Sequence, residues 1–119
     1  MTLKSIRLEL ARNPGFPEGS SAHGYDIMAP LTADGHLDRK AWERVKAQCT
    51  VRRFWAGGPE LRGRLEHTAA HAWAFSYAKG EEDDEPIFRL EQHVFKPGEY
   101  VSITEHDGKR YTFKVIWVK

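Results

Sequence analysis

The stretch FRLEQHVFKPGEYVSITEHDGKRYTFKVIWV, residues 88–118, decides the fold, because its turns and its alternation can be checked against each other. Pro97-Gly98 is a turn signal between the alternating runs 88–95 and 100–105. A two-residue loop there sets Val94 opposite Val101 and Gln92 opposite Ile103, while His93 faces Ser102 and Glu91 faces Thr104. One face of that hairpin is mainly apolar and the other polar.

The second turn contains Asp107-Gly108, a strong signature of a two-residue hairpin loop. That loop would place Val101 and Ile103 opposite Lys114 and Thr112 and so mix the two faces. A three-residue loop of His106, Asp107 and Gly108 instead sets Val101 opposite Phe113, Ile103 opposite Tyr111 and Glu105 opposite Lys109. It needs Gly108 in the left-handed region and a bulge beside it. Consistency of faces selects the three-residue loop.

The two registers together assign Phe88, Leu90, Val94, Val101, Ile103, Tyr111, Phe113, Val115 and Trp117 to a core face. The opposite face carries Arg89, Glu91, His93, Ser102, Thr104, Arg110, Thr112 and Lys114, with Tyr100 at its end. Ile116 and Val118 make the last strand apolar on both sides, so a second element is expected to cover it.

Upstream, Ile6, Leu8 and Leu10 alternate with Arg7 and Glu9, the period of a half-buried strand. Breakers crowd residues 13–21, which read as a loop, and Tyr25, Ile27, Ala29 and Leu31 resume the alternation up to Asp34-Gly35. Asp38 is placed to cap a helix, Leu37 and Trp42 to staple it, and Arg39 and Glu43 to pair one turn apart. A helix over 39–48 follows, too short to stand without packing against something. Residues 50–55 read as a third strand, stopped by Gly57-Gly58-Pro59.

From Leu65 the large residues fall at Leu65, His67, His71, Trp73, Phe75 and Tyr77, with small residues at most of the positions between. The period of two predicts a strand. The alternative is a helix within 59–78 that gathers Leu65, Ala69, Ala72, Trp73 and Ser76 on one face, which would make the chain α+β. The strand reading takes precedence. The expected fold is therefore mainly β: a single domain over 1–119, built as a small antiparallel barrel or strongly curved sheet of about six or seven strands with one short α-helix.

Composition limits the function. The chain has 119 residues, 18 basic against 17 acidic side chains and a formal charge of +1, so it lacks the basic excess of a nucleic-acid or anionic-membrane binder. Its lone Cys49 has no intrachain disulfide partner, and no long apolar run occurs, which together predict a soluble cytoplasmic protein without membrane contact. The acids at 81–85 run contiguously, without the spacing of a calcium loop, and read as a solvated hairpin tip. His67 and His71 lie roughly 13 Å apart on a strand and cannot share a metal there. No zinc, Walker or dinucleotide motif occurs, so neither a metal nor a cofactor is expected.

Two groups of candidates remain. His93, Ser102, Glu91, Thr104, Tyr100 and Lys114 share the polar face and form a candidate ligand site, with His93 and Glu91 the candidate acid/base pair if the sheet closes that face into a pocket. Arg52, Arg53 and Trp55 place cations beside an aromatic, the chemistry of single-stranded nucleic-acid binding, though no basic tail reinforces it. The leading expectation is a small-molecule or protein binding module acting through the polar face. A small hydrolase or isomerase is the alternative, and nucleic acid is disfavoured.

Overall fold

Strict alternation makes the first strand. In β1 (Leu3–Leu10), Ile6, Leu8 and Leu10 are buried, and Arg7 and Glu9 take the other side. The computed structural model describes residues 3–67, 73–77, 85–87, 94–105 and 108–119, with the backbone alone at 77 and 85–87. The remaining strands are β2 (Ser20–Pro30), β3 (Thr50–Trp55), β4 (Leu61–His67), β5 (Trp73–Tyr77), β6 (Glu85–Ile87), β7 (Tyr100–Thr104) and β8 (Arg110–Val118). Each pairs antiparallel with the next, and β8 returns to β1, so the sheet closes into a barrel.

The chain is mainly β with one short α-helix, as its alternation predicts. Within the strands the segment from Leu61 to Tyr77 folds back as a hairpin, with Leu65 opposite Phe75 and His67 opposite Trp73. That pairing corrects the helical alternative for 59–78, and the α+β architecture with it. Period-two placement lets Leu65 and Phe75 both enter the core, each at most 1% exposed.

Between β7 and β8 the register is the one face consistency selects: Val101 opposite Phe113, Ile103 opposite Tyr111. Gly108 has φ 85°, and the Glu105 amide donates to the Lys109 carbonyl at 2.8 Å. The preceding hairpin differs from expectation. Its turn forms, with the Glu99 amide donating to the Lys96 carbonyl at 3.0 Å and Gly98 at φ 93°. The strand expected before it does not reach the turn, since Val94 and Phe95 lie outside any strand; residues 88–93 lie outside the described residues. Phe95 is drawn into the core, 2% exposed, and its amide bonds the Gly35 carbonyl at 2.8 Å instead of β7. Ile103 accordingly pairs with Ile87, not Gln92.

Trp117 is a second correction. Along β1 and β8 the register shifts, with Arg7 opposite Trp117 but Leu8 opposite Val115, so one extra residue on β8 reverses its in/out order. Phe113 and Val115 stay inside, whereas Trp117 joins Arg7 on the outer surface, 5.6 Å from its guanidinium and 4.4 Å from the Lys119 ammonium. Val118 takes the inward place. Gly24, on β2 between Glu9 of β1 and Phe54 of β3, is required by close approach: a Cβ there would lie 2.0 Å from the Leu8 carbonyl oxygen and 2.9 Å from the Phe54 ring.

The helix α1 (Arg39–Val45), followed by a 3-10 turn over Lys46–Gln48, covers one end of the barrel. Its amides are free at the start, and the Asp38 carboxylate accepts from the Ala41 amide at 3.1 Å. Trp42 is 7% exposed, donates from Nε1 to the Leu65 carbonyl at 2.9 Å and meets Trp73 edge-on at 5.4 Å. Cys49 is fully buried, and burial pushes its thiol pKa up, which suits a packing role.

These contacts order two substitutions by cost. Trp42→Ala removes a buried ring and is expected to cost about 3–5 kcal/mol, against about 1 kcal/mol for Asp38→Ala, which removes a cap. Urea unfolding of the two variants checks the order; equal losses would show that α1 is held by its cap and not by its tryptophan.

Candidate functional site

Closure of the sheet decides what each predicted site residue can do. Val101 and Ile103 point inward, so Ser102, Thr104 and Tyr100 on β7, with Lys114 on β8, belong to the outer, convex face. Closure therefore does not turn the polar face into an enclosed pocket; it puts the apolar face inside. Glu91 and His93 lie outside the described residues.

Among the described residues the inward-facing apolar side chains pack closely. A residual cavity among Ile6, Leu8, Ile27, Leu65, Phe75 and Phe95 measures about 10 Å³. That is at or below the roughly 10–15 Å³ one water needs.

At the barrel end away from α1, the core turns polar. β2 and β3 pair Tyr25 with Arg53 and His23 with Trp55, and all four face inward. Glu105, just past β7, is 3% exposed and Arg53 7%. Arg53 donates from Nε to Glu105 Oε1 at 2.9 Å and from Nη2 to the same oxygen, while the Tyr25 hydroxyl donates to Oε2. The guanidinium lies 4.3 Å from the Trp55 ring, which meets His23 edge-on at 4.4 Å. His23 Nδ1 in turn sits 2.7 Å from Ser20 Oγ. Burial, and then the Arg53 charge, lower the His23 pKa below its usual value of 6.5.

The nucleic-acid candidates are divided by the same alternation. Arg52 points outward, where Asp26 Oδ2 accepts from its Nε at 3.1 Å and Glu60 from its Nη1 at 3.2 Å. Arg53 points inward to Glu105, with Trp55 beside it. Each arginine already has a carboxylate, and the two lie on opposite faces of the sheet.

A groove of about 910 Å³ opens on the outer surface over β8, the end of β1 and the β1–β2 connection. Two predicted residues line it, Tyr100 and Lys114, which are opposite each other in the β7–β8 ladder. Tyr100 is 54% exposed, the one large hydrophobic side chain so exposed among the described residues. Thr112 of the same polar face also lines it, together with Arg12, Glu18 and Ser20, which the sequence did not single out. Ser102 and Thr104 lie elsewhere on the same face.

The groove wall is fixed by one side chain. Asn13 donates from Nδ2 to the Thr112 carbonyl at 3.0 Å, and its Oδ1 accepts from the Thr112 amide at 3.0 Å. The neighbouring Ala11 amide also reaches that carbonyl at 3.0 Å. Asn13 thus completes β8's ladder with an amide side chain and pins the 11–19 loop to the strand. The breakers announced a loop, but no local signal says that Asn13 would find a partner ninety-nine residues away.

Among the described residues no group of three or more His, Cys, Asp or Glu side chains is placed to hold a metal ion. No family model matches the chain, nor does any curated protein or solved structure.

Two predictions follow from the polar end of the lumen. Glu105→Ala leaves Arg53 buried without its carboxylate and is expected to cost about 3–5 kcal/mol, whereas Arg53→Met with Glu105→Leu together should cost clearly less. Denaturant unfolding tests this, and a double variant worse than Glu105→Ala alone would contradict it. For His23 the sign is fixed by its lowered folded pKa. The unfolded chain takes up the proton first, so this residue's contribution is full above about pH 6.5 and falls away as pH drops below that. The stability difference between the natural protein and His23→Asn should therefore shrink on going from pH 7.5 to pH 5; a constant difference would contradict it.

Proposed function

We propose that the protein is a cytoplasmic binding module that holds a ligand on its outer surface, in the groove over β8 and β1. The observation that carries this reading is the coincidence, in one groove, of the exposed Tyr100 ring with Lys114 directly across the ladder. The groove's size supports it, since about 910 Å³ lies within the range of small-molecule sites. The reading rests on the Tyr100 and Lys114 part of the polar β7–β8 face, His93 and Glu91 lying outside the described residues. No helix among the described residues is long and apolar enough to cross a membrane. The single buried thiol suits a reducing compartment.

A defined set of polar fragments, titrated into the 15N-labelled protein, tests the reading. Binding fragments should shift the amides of Tyr100, Thr112, Lys114 and Ser20, and Tyr100→Ala should weaken them by about fivefold to thirtyfold, the equivalent of 1–2 kcal/mol. Shifts confined to other surfaces, or indifference to Tyr100→Ala, would sink the proposal.

A further inference from the structure

Charge accounting in the groove narrows what it can hold, given that the groove is a binding site as proposed above. Glu9 lies opposite Lys114 in the β1–β8 ladder and would be its natural partner. Its carboxylate goes elsewhere, accepting from Arg7 Nε at 3.1 Å. Arg7 also reaches Asp26 at 3.2 Å, so Glu9 is held within a chain of pairs on the outer face of β1 and β2. Lys114 is left exposed and makes no ion pair among the described residues. The same holds for Arg12.

Both cations are placed by β8. Lys114 belongs to the strand, and Arg12 stands between Ala11 and Asn13, whose bonds fix the chain to Thr112 two residues away. Glu18 is the remaining carboxylate of the groove, so the side chains not otherwise paired sum to one positive charge: Lys114 and Arg12 against Glu18. Tyr100 supplies the apolar part. Directly opposed residues bring their Cβ atoms to about 4.5–5.5 Å, so a ring lying on Tyr100 would carry a substituent within reach of the Lys114 ammonium.

We infer that the groove binds a small organic anion: a carboxylate or phosphate, held by Lys114 and Arg12, on a planar ring that stacks on Tyr100. Carboxylate and phosphate share the acceptor oxygens that these cations recognise, and a ring without the anion, or the anion without a ring, uses half of the site.

Titrations of the full chain with phenyl phosphate, benzoate, inorganic phosphate and benzylamine, followed by amide shifts and calorimetry, test the inference. Phenyl phosphate and benzoate should bind in the groove, inorganic phosphate more weakly, and benzylamine least. Which of the first two binds tighter tells phosphate from carboxylate. Lys114→Glu should weaken phenyl phosphate by at least about tenfold, with the melting temperature lowered by only a few degrees because the residue is exposed although it faces Glu9 across the ladder, and Glu18→Gln should strengthen it. Benzylamine binding as tightly as phenyl phosphate, inorganic phosphate binding as tightly as phenyl phosphate, or indifference to Lys114→Glu would each overturn the assignment. Should neutral fragments alone shift the groove amides, the anion assignment falls and the binding module stands. Should nothing shift them, both fall.

Discussion

Inside the barrel, the Glu105 carboxylate is held between an arginine on β3 and a tyrosine on β2, with both of its oxygens occupied. Glu105 itself leaves β7, so this one group ties together three strands around the lumen. Buried ion pairs are costly to desolvate and stabilise only when their hydrogen bonds are complete. Completion also limits the arrangement: the carboxylate accepts from Arg53 and Tyr25 together only when β2 and β3 hold the register that sets these two residues opposite each other. A slip of one residue in β3 would turn Arg53 outward and take the guanidinium away from the Glu105 carboxylate. The apolar end resists the same slip because its side chains would turn out to water, and the polar end adds the cost of a buried charge deprived of its partner.

How much of this was legible depends on whether the deciding signal is local. The loop joining β7 and β8 was readable because Gly108 and the flanking alternation lie within a few residues of each other. The helix was readable from Asp38 and Trp42 for the same reason. The Pro97-Gly98 turn was also legible, but the partner of the chain before it was not, because Phe95 answers to Gly35, sixty residues upstream. Trp117 was misassigned by a bulge that no residue type near it announces. Neighbouring arginines at 52 and 53 looked like one basic patch in the sequence, yet a strand separates adjacent side chains by its thickness. Tyr25 read as part of an alternating strand, but its hydroxyl's partner was hidden because it lies eighty positions away.

The candidate site shows the same division. Tyr100 and Lys114 could be placed on one face by the register of a hairpin, and the structure keeps them there. What the sequence could not supply was the other wall, since Arg12, Glu18 and Ser20 come from the β1–β2 connection at the far end of the chain. Closure does not enclose the polar face: among the described residues the apolar face turns inward, and the polar face is walled only where another segment rises beside it. Here that segment is the 11–19 loop.

A groove on a convex surface needs a rigid wall, and loops are ordinarily the mobile part of a β protein. Asn13 removes that freedom by imitating a strand. Its amide offers one donor and one acceptor at the spacing of a peptide group, and both are taken by Thr112. At Gly19, where the loop rejoins β2, the backbone has φ 73° and a Cβ would fall 2.4 Å from the Leu10 carbonyl oxygen. The loop is thus pinned at one end by a side-chain amide and folded tightly at the other by a residue without a side chain. A wall held at both ends fixes the backbone of Arg12, so a ligand bound in the groove as proposed would meet a smaller ordering cost than on a free loop.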